Sequence, residues 1–325
     1  MSPTSAAPGL CSCHSPHPTE DSIDTLFPRL LTEATLTQTP TLLHWRADIC
    51  IPEPARWFGR GGHCDLFQGY DRSTGTKLAM KHIRVSGPTG CSEAETLKRI
   101  SREATIWQPL RHVNVLLFLG VVDISDATYL VSPWVEQGDL CSFVTSHLEF
   151  LELDQGKQNK VGPMAILYRN FNEQTTITGI ASGLDYLHAN NVIHGDLKAA
   201  NILLDDLLEP KICNFGLTKV LNSAYSVTST ALKGAGSLQW MGPELLMGGE
   251  GAVKMTESDI YAFGILIAET LSAQPPFPHL ESILSITQAV TAGERPRPEP
   301  LSREGQPFQN LWGLAAQDVT ILRIR

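Results

Sequence analysis

The alternation of apolar and polar positions changes character three times along the chain. Residues 1–40 are rich in Ser, Thr and Pro and carry few large apolar side chains in any period. Such a stretch cannot bury enough surface to offset the entropy of ordering, and it is expected to be a flexible leader. From Arg56 the texture tightens into Trp57-Phe58, a glycine-dense turn, Asp65-Leu66-Phe67-Gln68-Gly69, and then, past the turn residues 71–75, Lys77-Leu78-Ala79-Met80-Lys81-His82-Ile83. Short apolar runs punctuated by Gly, Asp, Ser and Thr predict strand, turn, strand, turn, strand. Residues 92–110 mix charged and apolar side chains at helical spacing, with Ile100, Ile106 and Trp107 available for one buried face until Pro109 limits the helix. Beyond Gly138 the pattern is mainly helical, as at 175–187 and 259–271, between loops dense in polar residues and glycine. The expectation is an α+β protein: a small antiparallel sheet lobe with one helix, then a larger, mainly helical lobe.

Length agrees with two lobes or two domains, since 325 residues exceed the usual size of a single core. Charge narrows the function: 25 Lys and Arg against 34 Asp and Glu give a net charge of −9, which speaks against nucleic acid or an anionic membrane as partner. The apolar runs 113–122 and 260–271 are too short or interrupted to span a bilayer, and no export signal or lipidation motif is read at either end. Seven cysteines show neither paired zinc spacing nor disulfide-scaffold density, so an intracellular, cytoplasmic setting is expected. Cys11, Cys13 and His14 are either a metal half-site or incidental residues of the leader.

Chemistry enters with Gly59-Arg60-Gly61-Gly62-His63-Cys64-Asp65-Leu66, a glycine-rich turn between two predicted strands. Without a Cβ in the way, backbone N–H groups there can approach phosphate oxygens. Alone this is weak, but it is followed in order by Ala79-Met80-Lys81, Glu103, His194-Gly195-Asp196-Leu197-Lys198-Ala199-Ala200-Asn201, Asn214-Phe215-Gly216, Gly242-Pro243-Glu244 and Asp259-Ile260-Tyr261-Ala262-Phe263-Gly264. The series resembles the signature set of the eukaryotic protein kinases over about residues 55–300. Within them it is similar to the tyrosine-kinase-like group of Ser/Thr kinases, including members common in mushroom-forming fungi. The marks of that similarity are residues 110–116 and 237–241 and the His194-Gly195-Asp196 triplet. Lys198 and the hydroxyl of Ser237 go, in such kinases, with Ser/Thr acceptors.

The resemblance implies a bilobal kinase fold with a sheet lobe at 41–132, a hinge at 133–135, a helical lobe at 136–312 and a divergent tail at 313–325. It implies ATP and Mg²⁺ as cofactors, or Mn²⁺ at a weakened site, and a protein substrate or signalling partner; oligomeric state is left open. By the same likeness Lys81 would meet the α- and β-phosphates while held by Glu103. Asp196 would orient the incoming hydroxyl, Lys198 would face the transferring phosphoryl group, and Asn201 and Asn214 would hold the metal. Gly59, Gly61 and Gly62 would cover the phosphates. Leu66, Ala79 and Leu203 would sandwich adenine, with Ser132 as gatekeeper, the Pro133 carbonyl as acceptor and the Val135 N–H as donor. Trp107, Phe118, His194 and Phe215 would stack into a spine anchored by Asp259.

Departures from the pattern are as informative. Asn214 stands where the family has the metal-binding aspartate, which removes a formal charge from a reaction run almost wholly on electrostatic positioning. Cys64 replaces the third loop glycine, and Gly195 replaces an arginine that pairs with a phosphorylated activation segment, so a phosphate on Tyr225, Ser226 or Thr228 would lack that partner. Glu244 loses its usual distant arginine, for which Arg323 or Arg325 would have to substitute. Three functions follow: a Ser/Thr kinase of low activity, a pseudokinase acting as a nucleotide-binding scaffold or allosteric module, or a chain whose lower lobe is too marginal to fold.

Overall fold

The structure is a computed structural model that describes residues 49–51, 57–60, 64–84, 93–124, 127–153, 164–217, 219–220, 237–248, 252–280 and 282–296. The leader at 1–40, Gly61, Gly62, the hydroxyl residues 225, 226 and 228, and the tail with Arg323 and Arg325 lie outside the described residues. The first half builds a six-stranded sheet from β1 (Ile49–Cys50), β2 (Trp57–Arg60), β3 (Cys64–Asp71), β4 (Lys77–Ile83), β5 (Gly120–Ile124) and β6 (Ala127–Pro133). Its order is β1-β3-β4-β6-β5, with β2 also pairing β3, and every pair is antiparallel. The three strands expected between Trp57 and Ile83 are therefore β2, β3 and β4. The alternation along β4 puts Leu78 and Met80 on the buried face with Val131 of β6, and it leaves Ala79 and Lys81 on the other.

One helix, α1 (Glu93–Trp107), packs beside this sheet. Thr96, Ile100, Glu103, Ala104 and Trp107 are all buried, the three-and-four spacing of a single helical stripe. Glu103 belongs to that stripe, so a carboxylate is carried inward by the same periodicity that buries Ile100 and Trp107. The apolar run 113–122 proves to be two things: an irregular crossing in which Val115 bridges Ile212, and then the start of β5 at Gly120.

The second half is mainly helical: α2 (Leu140–Glu152), α3 (Met164–Asn170), α4 (Glu173–Ala189), α5 (Pro243–Met247), α6 (Thr256–Ser272) and α7 (Ile283–Thr291). Between α4 and α5 run the short strands β7 (Val192–Ile193), β8 (Ile202–Leu204), β9 (Pro210–Ile212) and β10 (Lys219–Val220), which pair β7 with β10 and β8 with β9. Asp139 and Asn172 cap α2 and α4 by accepting from Ser142 N and Thr175 N, both at 2.9 Å. Helix α6 is apolar on nearly every side from Tyr261 to Leu271, and all of these residues but half-buried Phe263 are buried, the mark of a helix at the centre of its lobe. Among the described residues no helix is long and apolar enough to cross a membrane.

Two packing sites generate predictions. Gly183 of α4 lies so close to the 111–116 crossing that a Cβ there would sit 2.7 Å from the Asn114 carbonyl oxygen and 3.0 Å from Ile212 Cδ1. Backbone cannot yield as a flexible side chain does, so Gly183→Ala should cost about 1–3 kcal/mol in denaturant unfolding despite alanine's better helix propensity. His147 of α2 is buried among the rings of Tyr168 and Phe171, with centroids 5.8 and 5.2 Å away, and its Nδ1 has no hydrogen-bond partner among the described residues. Burial pushes its pKa below the ordinary 6.5. The unfolded chain then takes up the proton first, and the contribution of His147 to stability is lost as pH falls below that value. His147→Phe should flatten the acid side of a plot of Tm against pH.

Candidate active site

Lys81 on β4 faces the cleft between sheet and helices, opposite Leu66 of β3. Its Nζ donates to Glu103 Oε1 at 2.6 Å, and the two side chains are only 17% and 4% exposed. Burial alone would push the ammonium down, but the charge and hydrogen bond of Glu103 leave the Lys81 pKa raised. The cation is therefore fixed and fully charged opposite Leu66, the last residue of the glycine-rich segment. Gly59 of that turn pairs with Leu66 across the hairpin. Both neighbouring thiols are held protonated chiefly by burial; Cys64 is raised, and Cys213 is pushed up to about 12.

Across the cleft the segment after β7 is held by one carboxylate. Asp259, on the first turns of α6 and 1% exposed, accepts from the backbone N–H groups of His194 and Gly195, both at 2.8 Å, and lies 3.0 Å from His188 Nε2. Gly195 has φ +75°, a left-handed conformation that an arginine would enter only with strain. His194 is fully buried, receives Asp196 N–H on Nδ1 and donates from Nε2 to the Cys213 carbonyl. It works as a fixed strut. It also closes the spine: Trp107 meets Phe118 at 5.0 Å and Phe215 at 5.5 Å, and Phe215 meets His194 edge-on at 5.8 Å.

The polar side chains of the two walls join into one chain. Lys81 Nζ donates to Asn214 Oδ1 at 2.9 Å, Asn214 Nδ2 donates to Asn201 Oδ1 at 3.1 Å, and Asn201 Nδ2 donates to Asp196 Oδ2 at 2.9 Å. Asp196 Oδ2 pairs with Lys198 Nζ at 3.3 Å, and Lys198 donates to Ser237 Oγ at 2.6 Å. Every residue expected to act on phosphate, metal or acceptor, outside the glycine turn, is thus within one run of contacts from Glu103 to Ser237. Asn214 stands at φ +70°, which asparagine tolerates better than most side chains.

A hard divalent cation fits this donor set weakly. Its natural ligands are the amide oxygens of Asn201 and Asn214, yet each already accepts a hydrogen bond, one from the Asn214 amide and the other from Lys81. An aspartate at 214 could not donate to Asn201; the asparagine carries no charge there and its amide occupies the neighbouring ligand. Among the described residues no group of three or more His, Cys, Asp or Glu gathers into an alternative metal site.

Ala79 pairs with Ser132 between β4 and β6, Ser132 is buried, and Pro133 pairs with Leu78 at the end of β6. Val135 and half-buried Leu203 pack on the edge of the core beneath them. Glu244 keeps a buried Oε1 with no hydrogen-bond partner among the described residues. Gly242 makes room for it, because a Cβ there would lie 2.4 and 2.5 Å from the carboxylate oxygens. Sequence reasoning missed Glu269 and assigned no role to Trp240. The signal for Glu269 was present as the one acid in the apolar run 260–271, since a buried carboxylate must find donors.

Removing one member of the buried pair isolates the other. Lys81→Met should destabilise the fold by about 3–5 kcal/mol, and adding Glu103→Leu should recover most of that loss in urea unfolding.

A family model described as protein kinase domain matches residues 53–310. The mitogen-activated protein kinase kinase kinase YODA of Arabidopsis thaliana is 28% identical over 269 residues, 81% of this chain and 28% of that protein. A probable serine/threonine-protein kinase of Dictyostelium discoideum is 31% identical over 255 residues, 78% of this chain and 24% of its own length. The RAF proto-oncogene serine/threonine-protein kinase of Xenopus laevis is 30% identical over 203 residues, 62% of this chain and 28% of that protein. The chain spans well under half the length of these curated relatives. With the match covering most of the chain and the cleft assembling the residues that carry the motifs, the chain belongs to the protein kinase family.

Proposed function

We propose that the protein is an ATP-dependent Ser/Thr kinase of the tyrosine-kinase-like group, acting inside the cell on protein substrates at a rate reduced by Asn214. The observation that carries this reading is the unbroken polar chain from Glu103 to Ser237. Lys81, fixed by Glu103, draws in the α- and β-phosphates. Ala79, Leu66 and Leu203 enclose adenine between apolar surfaces, with the Pro133 carbonyl and Val135 N–H as its hydrogen-bonding edge. Asp196 orients the acceptor hydroxyl and takes its proton as the oxygen bonds to the γ-phosphorus. The bond to the β-phosphate oxygen breaks and ADP leaves, while Lys198 neutralises the transferring group. Mg²⁺ or Mn²⁺, held through Asn201 and Asn214, would neutralise charge on the nucleotide phosphates. Serine or threonine as acceptor is supported by the Lys198–Ser237 bond, which sets the cation beside the segment that an acceptor would approach.

A second reading, a pseudokinase serving as a nucleotide-binding scaffold or allosteric module, is favoured by the Asn214 amide, which donates into the other metal ligand. Transfer of labelled γ-phosphate, as autophosphorylation and to a generic Ser/Thr substrate in Mg²⁺ and Mn²⁺, separates the two. Slow transfer by the native chain is expected, lost in Asp196→Ala and raised on the order of 10²-fold in Asn214→Asp. Transfer by Asn214→Asp alone would instead establish the pseudokinase.

A further inference from the structure

Lys254 lies two residues ahead of α6, next to the N-cap Met255, and there the usual order of inside and outside is reversed. Val253 and Met255 on either side of it are 51% and 42% exposed, whereas Lys254 is 5% exposed. Two apolar side chains are left in water and a cation is taken in. Its ammonium makes no hydrogen bond or ion pair among the described residues. Stability does not explain such a lysine, because burial opposes its charge and the positive end of a helix lies just beyond it.

Nor is a buried anion of α6 left waiting for this cation. Asp259 has the N–H groups of His194 and Gly195, with His188 beside them. Glu269 accepts from Ala199 N–H at 2.9 Å and from Trp240 Nε1–H at 2.8 Å. Asp196 is met by Lys198 and Asn201. Each carboxylate is satisfied by closer donors, and the charge of Lys254 is committed to none of them.

Its electrical surroundings are nevertheless those of the catalytic segment. Asp196 and Asp259 line one small hollow together with Gly195, Ser237 and Ser258, and Gly195 puts no side chain between the two carboxylates. Burial pushes the Lys254 pKa down; Asp196 first and then Asp259 act against that fall, while Arg102 of α1 and Lys198 add to it. On this wall the negative charges of Asp196 and Asp259 are matched by the positive charges of Lys198 and Lys254. Without Lys254 the wall would carry an excess of one negative charge. That excess would face the group in transit, since the acceptor oxygen bonds to the γ-phosphorus, its proton passes to Asp196, and the bond to the β-phosphate oxygen breaks. The phosphoryl oxygens thereby carry their charge towards Asp196 as the reaction proceeds.

We propose that Lys254 is a positioning residue for phosphoryl transfer, an uncommitted buried cation that offsets Asp196 and Asp259 so that the wall receives the transferring group without net negative charge. This rests on the kinase reading above. Lys254 touches neither nucleotide nor acceptor; it acts through the field at Asp196, and a field that matters only as the phosphoryl group moves is felt in turnover and not in nucleotide binding.

The test uses the full chain with Asn214→Asp as the parent and compares Lys254→Met, which keeps the length of the side chain and removes its charge, with Lys254→Arg, which keeps the charge. In Lys254→Met, kcat and the acceptor kcat/KM are expected to fall together by about tenfold. The Kd for ATP, read by displacement of a fluorescent nucleotide, should stay within about twofold. The urea midpoint of Lys254→Met should be no lower than that of the parent, because an uncommitted buried charge has been removed. Lys254→Arg should retain most of the turnover. Turnover indifferent to Lys254→Met in a parent that transfers phosphate would overturn the proposal alone. Lower turnover accompanied by a lower urea midpoint in both variants would overturn it in favour of a packing role, and a loss confined to ATP affinity would overturn it in favour of nucleotide binding. If the parent transfers no phosphate, the proposal falls together with the kinase reading.

Discussion

The arrangement of the cleft depends on a buried carboxylate that has to be satisfied. Asp259 lies at the start of a helix with almost no exposed surface, where an unpaired anion would be prohibitively costly. Its donors come from the backbone of a loop, at His194 and Gly195, and from His188 at the end of α4. A loop whose own N–H groups would otherwise be buried without partners is thereby pinned to the central buried helix of the lobe. Asp196, Lys198 and Asn201 follow within seven residues of that pin, so their positions derive from α6 rather than from the loop's own preferences.

The sheet lobe solves the opposite problem of holding a cation. Lys81 reaches the cleft because β4 alternates, and Glu103 reaches it because a helical stripe turns it inward with Ile100 and Trp107. Neither residue would be tolerated there alone. Phe215 then packs against Trp107 on one side and meets His194 edge-on on the other, so the ring column that joins the lobes and the polar chain that spans them run side by side through Phe215 and Asn214, neighbours in sequence.

Much of this was legible in the sequence. Strands β2 to β4 and helices α1, α4 and α6 follow from local periodicity and turn residues, and Lys81, Glu103, Asp196, Asn201 and Asn214 stand out by motif and order. What stayed hidden depends on pairings far apart along the chain. The Glu269 bonds to Ala199 and Trp240 cross 70 and 29 residues, and no local pattern reports them. No element was legible in the run 113–122 for a related reason: its apolar residues serve two different surfaces, one against Ile212 and one in the sheet. The effect of Asn214 on Asn201 was equally out of reach, since sequence shows the missing charge but not where the new amide points.

That amide gives the resting cleft an unusual electrical balance. Along the run from Glu103 to Ser237 the formal charges are those of Glu103, Lys81, Asp196 and Lys198, two negative and two positive, with the paired asparagines between them. An aspartate at 214 would tip the sum to an excess of one negative charge and leave the pocket dependent on a counter-ion to keep its walls together. As it stands, the four charges of this run sum to zero, and the Asn201–Asn214 pair links its two ends through uncharged groups. The oxygens and the ammonium along this run are already committed to one another, so a group that draws on any of them exchanges a hydrogen bond for a new contact and does not simply add to a free set of donors and acceptors.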